Sequence, residues 1–535
     1  MSPNTETNRN ELYKTIWKIA NDLRGSVDGW DFKQYVLGLL FYRFISENLA
    51  TFINTGEHAA GETTFDYAAL SDEQAERGRE EIVKEKGFYI LPSELFCNVQ
   101  RVAAKDPNLN ERLDTVFKHI EGSAVGTPSE EDVKGLFDDL DVNSNKLGST
   151  VPERNKKLVR LLDVIGGLPL GETEDHSYLD NTIDLFGDAY EFLMTMYASS
   201  AGKSGGEFFT PQEVSELLTR IAVAGKTTVN KVYDPACGSG SLLLKSAKVL
   251  GRDQIRAGYF GQEINLTTYN LCRINMFLHD INYEHFSIAH GDTLLAPAHW
   301  DDEPFEVIVS NPPYSLNWEG NDNPILINDP RFAPAGVLAP KSKADFAFIL
   351  HSLAWLATNG VAAIVCFPGI FYRGGAEQKI RRYLVDNNYV DTVISLSNGL
   401  FFGASIAVDI LVLKKSKPDN SVLFVDARDK CVKTQNKMKN SKKIFDLSAQ
   451  NIQEILAAYL ARQDQPHFTR LVSQREIAAN DYNLSVSSYV EAEDTREVVD
   501  IQELNAEIAR IVARQQELRS AIDAIVADLE DGVVK

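Results

Sequence analysis

Short β-rich segments alternate with helical stretches from about residue 175 to residue 420, and this rhythm constrains the fold more than any other feature. Strands separated by helical patterns are typical of a parallel, doubly wound α/β sheet. Near-continuous apolar segments favour burial on both faces of such a sheet. Strands are expected in NKVYD, GYFGQE, FSIAHGD, PFEVIVSN, GVAAIVCF, DTVISL and AVDILVL.

The regions on either side of this sheet have a helical pattern. Apolar residues recur at helical spacing in ELYKTIWKIANDLR and DFKQYVLGLLFYRFISENL. A chain of 535 residues is also too long for a single core. We therefore expect an N-terminal helical domain at 1–170, an α/β domain at 171–430 and a C-terminal helical tail at 431–535.

The end of the tail carries a heptad seam, so residues 501–529 predict a coiled-coil-like helix. Gln515 is the polar position in the seam and could fix its register. A helix of this kind must bury its seam on something, either on N-terminal helices of its own chain or on a helix of another subunit. The seam consists of Ile501, Leu504, Ile508, Ile511, Gln515, Leu518, Ile522, Ile525 and Leu529.

The acidic charge balance of the chain limits its ability to bind nucleic acid. The formal net charge is −22, and phosphate contacts need Lys and Arg, so a protein that grips nucleic acid alone is disfavoured. The basic segment 428–443 is either a solvated loop or a nucleic-acid contact.

The cysteines and the N-terminus indicate a compartment. The five cysteines are scattered without a CxxC pair, which suits a reducing compartment and argues against a structural zinc site. No apolar run is expected to span a bilayer, and MSPNTETNRN lacks a leader pattern. We expect a cytoplasmic protein with no metal and no membrane contact.

The segment KVYDPACGSGSLLLKSA predicts a strand, a glycine loop and a helix. Asp234 ends the strand, and Gly238 and Gly240 would let a ligand approach the backbone closely. A structural turn is the alternative, because GSG lacks the third glycine of GxGxxG, and the absence of GK[ST] excludes a P-loop. Glu263, at the next strand tip, could accept hydrogen bonds from both ribose hydroxyls or could cap a helix. Asp292, at the third tip, could face an adenine amino group.

Upstream, GGEFFTPQEVSELL combines flexible glycines, two aromatic side chains and a helix start. Thr210 is expected at the N-cap and Pro211 in the first turn. Phe208 and Phe209 are interpreted either as a hydrophobic staple or as a lid over a cofactor.

The segment VIVSNPPYS places Asn311, two prolines and Tyr314 at the end of the fourth strand, where ligands bind in open α/β sheets. The prolines stiffen the turn, so the carbonyl of Pro312 faces the site. With the side-chain oxygen of Asn311, it offers two acceptors to one –NH2 group. Tyr314 offers a ring for stacking a planar base.

This arrangement suits methylation of an amino group. Hydrogen bonds to both protons would direct the nitrogen lone pair at an electrophile, and in-line displacement needs positioning more than acid–base help. If the cofactor is S-adenosylmethionine, the electrophile is its methyl group. A base within duplex DNA would have to be flipped out to reach the site.

The motifs DPACGSG, GQEIN and SNPPY, in this order, resemble those of DNA amino-methyltransferases. With GGEFFTPQ, NDYNLSVSSY and the N-terminal helical segments, the whole chain resembles the methylase subunit of a Type I restriction–modification system of the IC subfamily. The resemblance implies an N6-adenine methyltransferase with a Rossmann-like S-adenosylmethionine-dependent domain, a reversed last strand and helical domains on both sides.

The resemblance also implies site residues and partners. The target adenine would be held by Asn311, Pro312 and Tyr314. Two methylase subunits would assemble with one specificity subunit, and a restriction subunit would complete the endonuclease on double-stranded DNA. Cofactor-binding positions would be Glu207, Phe208, Phe209, Thr210, Pro211, Gln212, Asp234, Ser239, Gly240, Ser241, Glu263 and Asp292.

Other functions fit some of these residues. Methylation of a protein glutamine amide also uses Asn-Pro-Pro-Tyr, but it leaves the large helical flanks unexplained. Cytosine-N4 methylation is a second alternative, although Ser or Asp often replaces Asn there. A catalytically silent scaffold is disfavoured because every expected site residue is present, and a nicotinamide dehydrogenase lacks its GxGxxG.

Overall fold

In this computed structural model, residues 31–168, 170, 193, 210–401, 407–434, 444–492 and 501–532 are described. The chain divides into two compact units, residues 1–490 and residues 491–535.

The N-terminal part of the larger unit is a layer of helices around one long helix. That helix, α1, spans Asp31–Ala59 and buries a dense apolar stretch between Tyr35 and Leu49. Shorter helices complete the layer: α2 (Asp72–Ala75), α3 (Arg79–Lys86), α4 (Phe96–Ala103), α5 (Leu109–Gly122), α6 (Glu130–Val133) and α7 (Val151–Gly166).

Helix α1 differs from the expectation that no apolar segment is long enough to span a bilayer. Its stretch Gln34–Ala59 is long and apolar enough to cross a membrane by length and composition, whereas no such run was expected. The most apolar window of this stretch is 61% buried inside the protein. Burial of this kind is what a central core helix requires.

A nine-stranded sheet forms the centre of the larger unit, in the order β11-β8-β6-β7-β5-β4-β1-β2-β3. The strands are β1 (Val229–Asp234), β2 (Ile255–Glu263), β3 (Phe286–His290), β4 (Phe305–Ser310), β5 (Leu356–Cys366), β6 (Val390–Leu396), β7 (Asp409–Lys414), β8 (Ser421–Ala427) and β11 (Thr469–Ser473). A separate two-stranded ribbon joins β9 (Val432–Lys433) to β10 (Phe445–Asp446).

Helices cover both faces of the sheet. They are α8 (Gln212–Ala222), α9 (Ser241–Leu250), α10 (Leu266–Leu278), α11 (Asp345–Trp355), α12 (Ala376–Asp386), α13 (Ala449–Ala461) and α14 (Gln474–Ala479). Strand β5 shows why both faces must be covered, because its residues alternate between the two cores. Val361, Ala363 and Val365 join one core, and Ala362, Ile364 and Cys366 join the other.

All seven expected strands are present, and the α/β class is confirmed. The expectation of a parallel sheet is confirmed for β1 to β5. It is wrong for β7, which is antiparallel to both of its neighbours, β5 and β6. The described residues between β6 and β7 contain no helix, and a helix is the usual crossover between parallel strands. The family resemblance implied a reversed last strand. The reversal is confirmed in β7, but its position as the last strand is wrong, because β8 and β11 follow it in the same sheet.

Two strands at the edge of the sheet were not expected. Strand β8 pairs in parallel with β6, and β11 pairs antiparallel with β8. Because β11 lies at Thr469–Ser473, the central sheet draws on residues beyond 430.

The helical layer packs directly on helix α10 of the sheet region. The ring of Phe277 lies 6.3 Å from Phe41 and 6.1 Å from Phe88 between centroids. The buried guanidinium of Arg273 donates to the carbonyls of Glu131 and Lys134, at 2.7 and 2.8 Å. The two parts therefore share one hydrophobic core.

The smaller unit contains a single described helix, α15, at Ile501–Gly532. The predicted helix over 501–529 is confirmed. The apolar seam is exposed, with 70% of Ile501, 61% of Ile511 and 60% of Ile525 accessible to solvent.

Candidate active site

The glycine loop joins β1 to α9 and turns through two left-handed residues, Gly238 with φ of 53° and Gly240 with φ of 78°. Residues with a Cβ rarely adopt this conformation. The N–H of Cys237 donates to the carbonyl of Gln262 at 3.1 Å, and the N–H of Gly240 donates to the carbonyl of Cys237 at 2.8 Å. The loop is thus fixed against the tip of β2, and the predicted order of strand, glycine loop and helix is confirmed.

Helix α10 supports the loop from inside. A Cβ on Gly240 would lie 2.8 Å from Sγ of Cys272, and the side chain of Asn275 donates to the carbonyl of Ser239 at 2.9 Å. Ser239 and Ser241 are buried within the loop and the first turn of α9. The loop therefore has little freedom to move inward.

Asp234 ends β1 beneath this loop and is 1% exposed. Its Oδ1 accepts the N–H of Ala236 at 3.0 Å, whereas its buried Oδ2 makes no hydrogen bond of good geometry among the described residues. Burial raises the pKa of this carboxyl from 3.8 to about 7, and the neighbouring charge of Glu263 adds to the effect. The nearby hydroxyl of Ser310 still interacts with this carboxylate and opposes the rise of its pKa. A buried acceptor without a well-formed hydrogen bond is uncommon and needs a physical explanation.

Glu263, at the tip of β2, contacts the glycine loop. Its Oε2 accepts the N–H of Gly238 at 3.1 Å, and its Oε1 accepts the N–H of Asn265 at 2.9 Å. Burial raises the pKa of this carboxyl, and these backbone hydrogen bonds oppose the rise. The alternative of a helix cap is wrong, because Asn265 is the N-cap of α10 and accepts the N–H of Thr268 at 3.0 Å.

Asp292 follows β3 and lies near the tip of β2. The N–H of Gly291 donates to the carbonyl of Glu263 at 3.0 Å, and Oδ1 of Asp292 accepts the N–H of Leu294 at 2.8 Å. The structure therefore places Asp234, Glu263 and Asp292 at successive tips of one sheet edge, as expected.

Asn311 lies at the end of β4 and is held on both sides of its amide group. Its Nδ2 donates to the hydroxyl of Thr210 at 3.1 Å, and its Oδ1 accepts the hydroxyl of Tyr314 at 2.6 Å. Both partners are hydroxyl groups, so together they hold the plane of the amide at the tip of β4. The structure thus joins the TPQ segment to the Asn-Pro-Pro-Tyr turn.

The start of α8 differs from expectation by one residue. The helix begins at Gln212, Pro211 takes the N-cap position, and no side chain makes a capping hydrogen bond. The prediction that Thr210 is the N-cap is therefore wrong, because its hydroxyl is used by Asn311 instead. Residues Glu207, Phe208 and Phe209 lie outside the described part of the chain.

Sequence reasoning missed a residue that shapes the turn after Tyr314. Ser315 has a left-handed φ of 52°, and its N–H donates to both carboxylate oxygens of buried Asp345, at 3.1 and 3.3 Å. Burial raises the pKa of the Asp345 carboxyl. The available signal was an acidic residue at the start of the apolar helical segment DFAFILHSLAW.

The basic segment 428–443 is described only as far as residue 434. Arg428 pairs with Asp426, and Nζ of Lys430 lies 3.6 Å from a carboxylate oxygen of Glu454. Within the described residues, no group of three or more His, Cys, Asp or Glu side chains is placed to hold a metal ion.

The strand order with its reversed strand, the glycine loop and the Asn-Pro-Pro-Tyr tip define an α/β Rossmann-like methyltransferase. Two family models match the chain: N-6 DNA Methylase over residues 181–498 and HsdM N-terminal domain over residues 12–165.

Relatives of known class match most or nearly all of the chain. The MpnII Type I restriction enzyme methylase subunit of Mycoplasma pneumoniae is 47% identical over 539 residues, which cover 98% of this chain and 97% of the relative. The HindI methylase subunit of Haemophilus influenzae is 27% identical over 429 residues, which cover 77% of this chain and 88% of that relative. The crystal structure of a type I methyltransferase subunit from Streptococcus thermophilus superposes with a TM-score of 0.78 at 34% identity, covering 90% of this chain and 100% of that one.

The chain belongs to the methylase subunits of Type I restriction–modification systems, a family of N6-adenine DNA methyltransferases. The sequence-based recognition of the family is thereby confirmed. Its assignment to the IC subfamily stays a prediction.

Proposed function

We propose that this subunit transfers a methyl group from S-adenosylmethionine to the N6 atom of adenine in specific DNA sequences, with the adenine flipped into the turn Asn311-Pro312-Pro313-Tyr314. The observation that carries the proposal is the fixed amide of Asn311. Thr210 and Tyr314 hold it at the tip of β4, and β4 pairs with β1, the strand that leads into the glycine loop.

The acceptor side of the reaction needs an oriented carboxamide oxygen. Oδ1 of Asn311 has two lone pairs, so it can accept an adenine N–H while it accepts the Tyr314 hydroxyl. The carbonyl of Pro312 would accept the second N–H of the amino group. Two such bonds hold the nitrogen and leave its lone pair directed away from both acceptors, which is the positioning that in-line displacement requires.

The cofactor side fits S-adenosylmethionine on the chemistry of its residues. The buried Oδ2 of Asp234 and the buried Nε2 of Gln212 make no hydrogen bond of good geometry among the described residues, although the hydroxyl of Ser310 lies near the Asp234 carboxylate. One acceptor and one donor are therefore available for an amino acid moiety. Glu263 would accept the ribose hydroxyls, and Asp292 would accept an adenine amino group. Bound S-adenosylmethionine supplies an electrophilic methyl group at its sulfonium.

Access to the site requires the base to leave the duplex. Flipping costs a few kcal/mol, about the scale that stacking on an aromatic ring can offset. Tyr314 would supply that ring, and its fixed hydroxyl would limit rotation of the side chain.

Sequence recognition would come from a partner subunit. An acidic chain with a net charge of −22 is poorly suited to grip DNA alone. Two copies would assemble with one specificity subunit, which contacts the seam of α15, and a restriction subunit would complete the endonuclease. The complex would act in the cytoplasm, on double-stranded DNA.

The test is a labelling experiment with the complete methylase–specificity complex, labelled S-adenosylmethionine and duplex DNA. We expect label on adenine N6, abolished by Asn311→Ala and retained by Asn359→Ala. Asn359 is an exposed asparagine at the amino end of β5 and serves as the matched control.

Label on a protein glutamine or on cytosine N4 would overturn the proposal, as would transfer by Asn311→Ala at the unaltered rate. Binding of S-adenosylmethionine by Asn311→Ala, measured by calorimetry, separates loss of target binding from loss of the fold.

A further inference from the structure

Arg331 lies in the long connection that follows the Asn-Pro-Pro-Tyr turn, and it is only 3% exposed. We call residues 315–344 the post-motif connection. The guanidinium pairs with the carboxylate of Asp329 through two contacts, Nε to Oδ1 at 3.0 Å and Nη2 to Oδ2 at 2.7 Å. Burial of a charge is costly unless it is paired and hydrogen-bonded, so this group needs further partners.

The first set of further partners is the backbone beside Asp292. Nη1 of Arg331 donates to the carbonyl of Thr293 at 2.8 Å, and Nη2 donates to the carbonyl of Leu294 at 2.7 Å. The N–H of Leu294 in turn donates to Oδ1 of Asp292. Arg331 therefore fixes the peptide that orients the Asp292 carboxylate.

A second path leads from Thr293 to the glycine loop. The hydroxyl of Thr293 is buried and donates to the carbonyl of Pro235 at 2.6 Å. Pro235 directly follows Asp234. A shift of Thr293 would therefore move Pro235 and, with it, the Asp234 carboxylate.

A third path reaches the other side of Asp234 through His351 and Tyr233. Nη1 of Arg331 lies 3.2 Å from Nδ1 of His351, and Nε2 of His351 lies 2.9 Å from the hydroxyl of Tyr233. Arginine can only donate, so Nδ1 accepts, and the neutral ring donates from Nε2 to Tyr233. Burial and the charge of Arg331 lower the pKa of His351, which agrees with a neutral ring.

From these contacts we infer that Arg331 is a positioning residue of the cofactor pocket, holding the Asp234 and Asp292 segments from behind. The inference rests on the proposed function, because it assumes that these segments bind S-adenosylmethionine. Arg331 is too buried to form much of the binding surface itself, so it acts through Thr293, Leu294 and Tyr233. It also makes the post-motif connection, which begins at the target-base turn, a structural part of the cofactor site.

The test compares Arg331→Met with Arg381→Met in the full-length subunit. Arg381 is 1% exposed and also donates to two backbone carbonyls, those of Ile370 and Tyr482, both at 2.8 Å. Both variants lose a buried guanidinium, but only Arg331 holds the Asp292 segment. Calorimetry measures the Kd for S-adenosylmethionine at a temperature well below the Tm of each variant.

We expect Arg331→Met to raise this Kd by about tenfold or more, and Arg381→Met by less than about twofold. Arg331→Lys should recover part of the loss. Amide hydrogen exchange at Leu294 should accelerate in Arg331→Met without any ligand, since the bond to Asp292 loosens. In the assembled enzyme, KM for the cofactor should rise more than kcat falls.

Equal changes in Kd for the two variants, or an unchanged Kd in Arg331→Met, would overturn the positioning role. If Arg331→Met does not fold, Arg331→Lys is measured in its place, because lysine cannot reproduce the fork of bonds to Thr293, Leu294 and Asp329. An unchanged Kd in that variant has the same consequence. Failure of the unaltered subunit to bind S-adenosylmethionine would instead overturn the proposed function. The two failures are therefore distinguishable.

Discussion

The hydroxyl of Tyr314 donates a hydrogen bond to the side-chain oxygen of Asn311 over 2.6 Å. This oxygen is the acceptor that the proposed reaction needs for the adenine amino group. Tyr314 therefore has two separable features, a hydroxyl that orients Asn311 and a ring that can stack on a base.

Replacement of Tyr314 should separate these features. We expect Tyr314→Phe to lower kcat by about threefold to tenfold, because one hydrogen bond that orients the carboxamide is lost. Tyr314→Ala should lower kcat/KM for DNA by about 100-fold, since stacking is lost as well. Steady-state methylation by the assembled complex measures kcat and kcat/KM for both variants. Equal losses of kcat/KM in the two variants would contradict separate roles for the hydroxyl and the ring.

The raised pKa of Asp234 gives a prediction for stability against pH. Its pKa is 3.8 when unperturbed and about 7 in the folded protein, so folding favours the protonated form. The resulting contribution to the free energy of unfolding is fully present below about pH 4 and is lost as the pH rises to about 7. The free energy of unfolding changes by about 4 kcal/mol over this range. Asp234→Asn cannot ionise, so its Tm relative to the unaltered protein should increase between pH 4 and 7 and then level off.

Thermal unfolding of both proteins across this pH range measures the difference directly. Buried carboxyls that do not interact with Asp234 titrate alike in both proteins and cancel in the comparison, whereas Glu263, whose charge acts on Asp234, is replaced by Gln in both proteins. A Tm difference that stays constant from pH 4 to 8 would show that Asp234 has an ordinary pKa.

The glycine loop should not tolerate a methyl group at Gly240. Gly225 is the matched control, because its φ of +75° is similar to the +78° of Gly240, yet a Cβ there meets nothing within 4 Å. At Gly240 a Cβ would lie 2.8 Å from Cys272 Sγ and 2.9 Å from Met276 Cε.

We expect Gly225→Ala to cost about 1 kcal/mol through its backbone conformation alone. Gly240→Ala should cost about 1–3 kcal/mol more through overpacking, and it should weaken binding of S-adenosylmethionine. Denaturant unfolding and calorimetry give the two values. Equal destabilisation by both substitutions would argue against tight packing between the loop and α10.

The exposed seam of α15 predicts where the specificity subunit binds. Ile511→Asp and Leu518→Asp place charges on seam positions that are 61% and 50% exposed, so they should weaken association at least tenfold, by loss of apolar burial. Ala513→Asp lies on the opposite face of the helix and should leave association unchanged. Removal of residues 491–535 should abolish association while S-adenosylmethionine still binds.

Analytical ultracentrifugation with the specificity subunit measures these effects. Full assembly of the truncated chain would place the contact elsewhere on the molecule.

The strands were largely predictable because their apolar segments end in recognisable turns. The segment SVLFVDA meets the same criterion, so β8 could also have been recognised. Strand β11 could not, because TRLVS is short and buries only Thr469 and Val472. Its place in the sheet depends on pairing with β8 rather than on a local pattern.

Site residues were predictable where they lie at the carboxyl ends of strands, because ligands bind there in open α/β sheets. Asp234, Glu263, Asp292 and Asn311 were all found because each one ends or follows a strand. Arg331 was not, because its partner Thr293 is 38 residues away along the chain and no periodicity connects them. Long-range contacts between loops leave no trace in local sequence.

The position of β11 has a consequence for biosynthesis. The ribosome must reach Ser473, long after the motifs of the site, before Thr469–Ser473 can pair with β8. Until then, the nascent chain carries an uncovered β edge of the kind that promotes self-association. Prematurely terminated products of this gene should therefore be prone to aggregate, even when they contain every motif of the catalytic pocket.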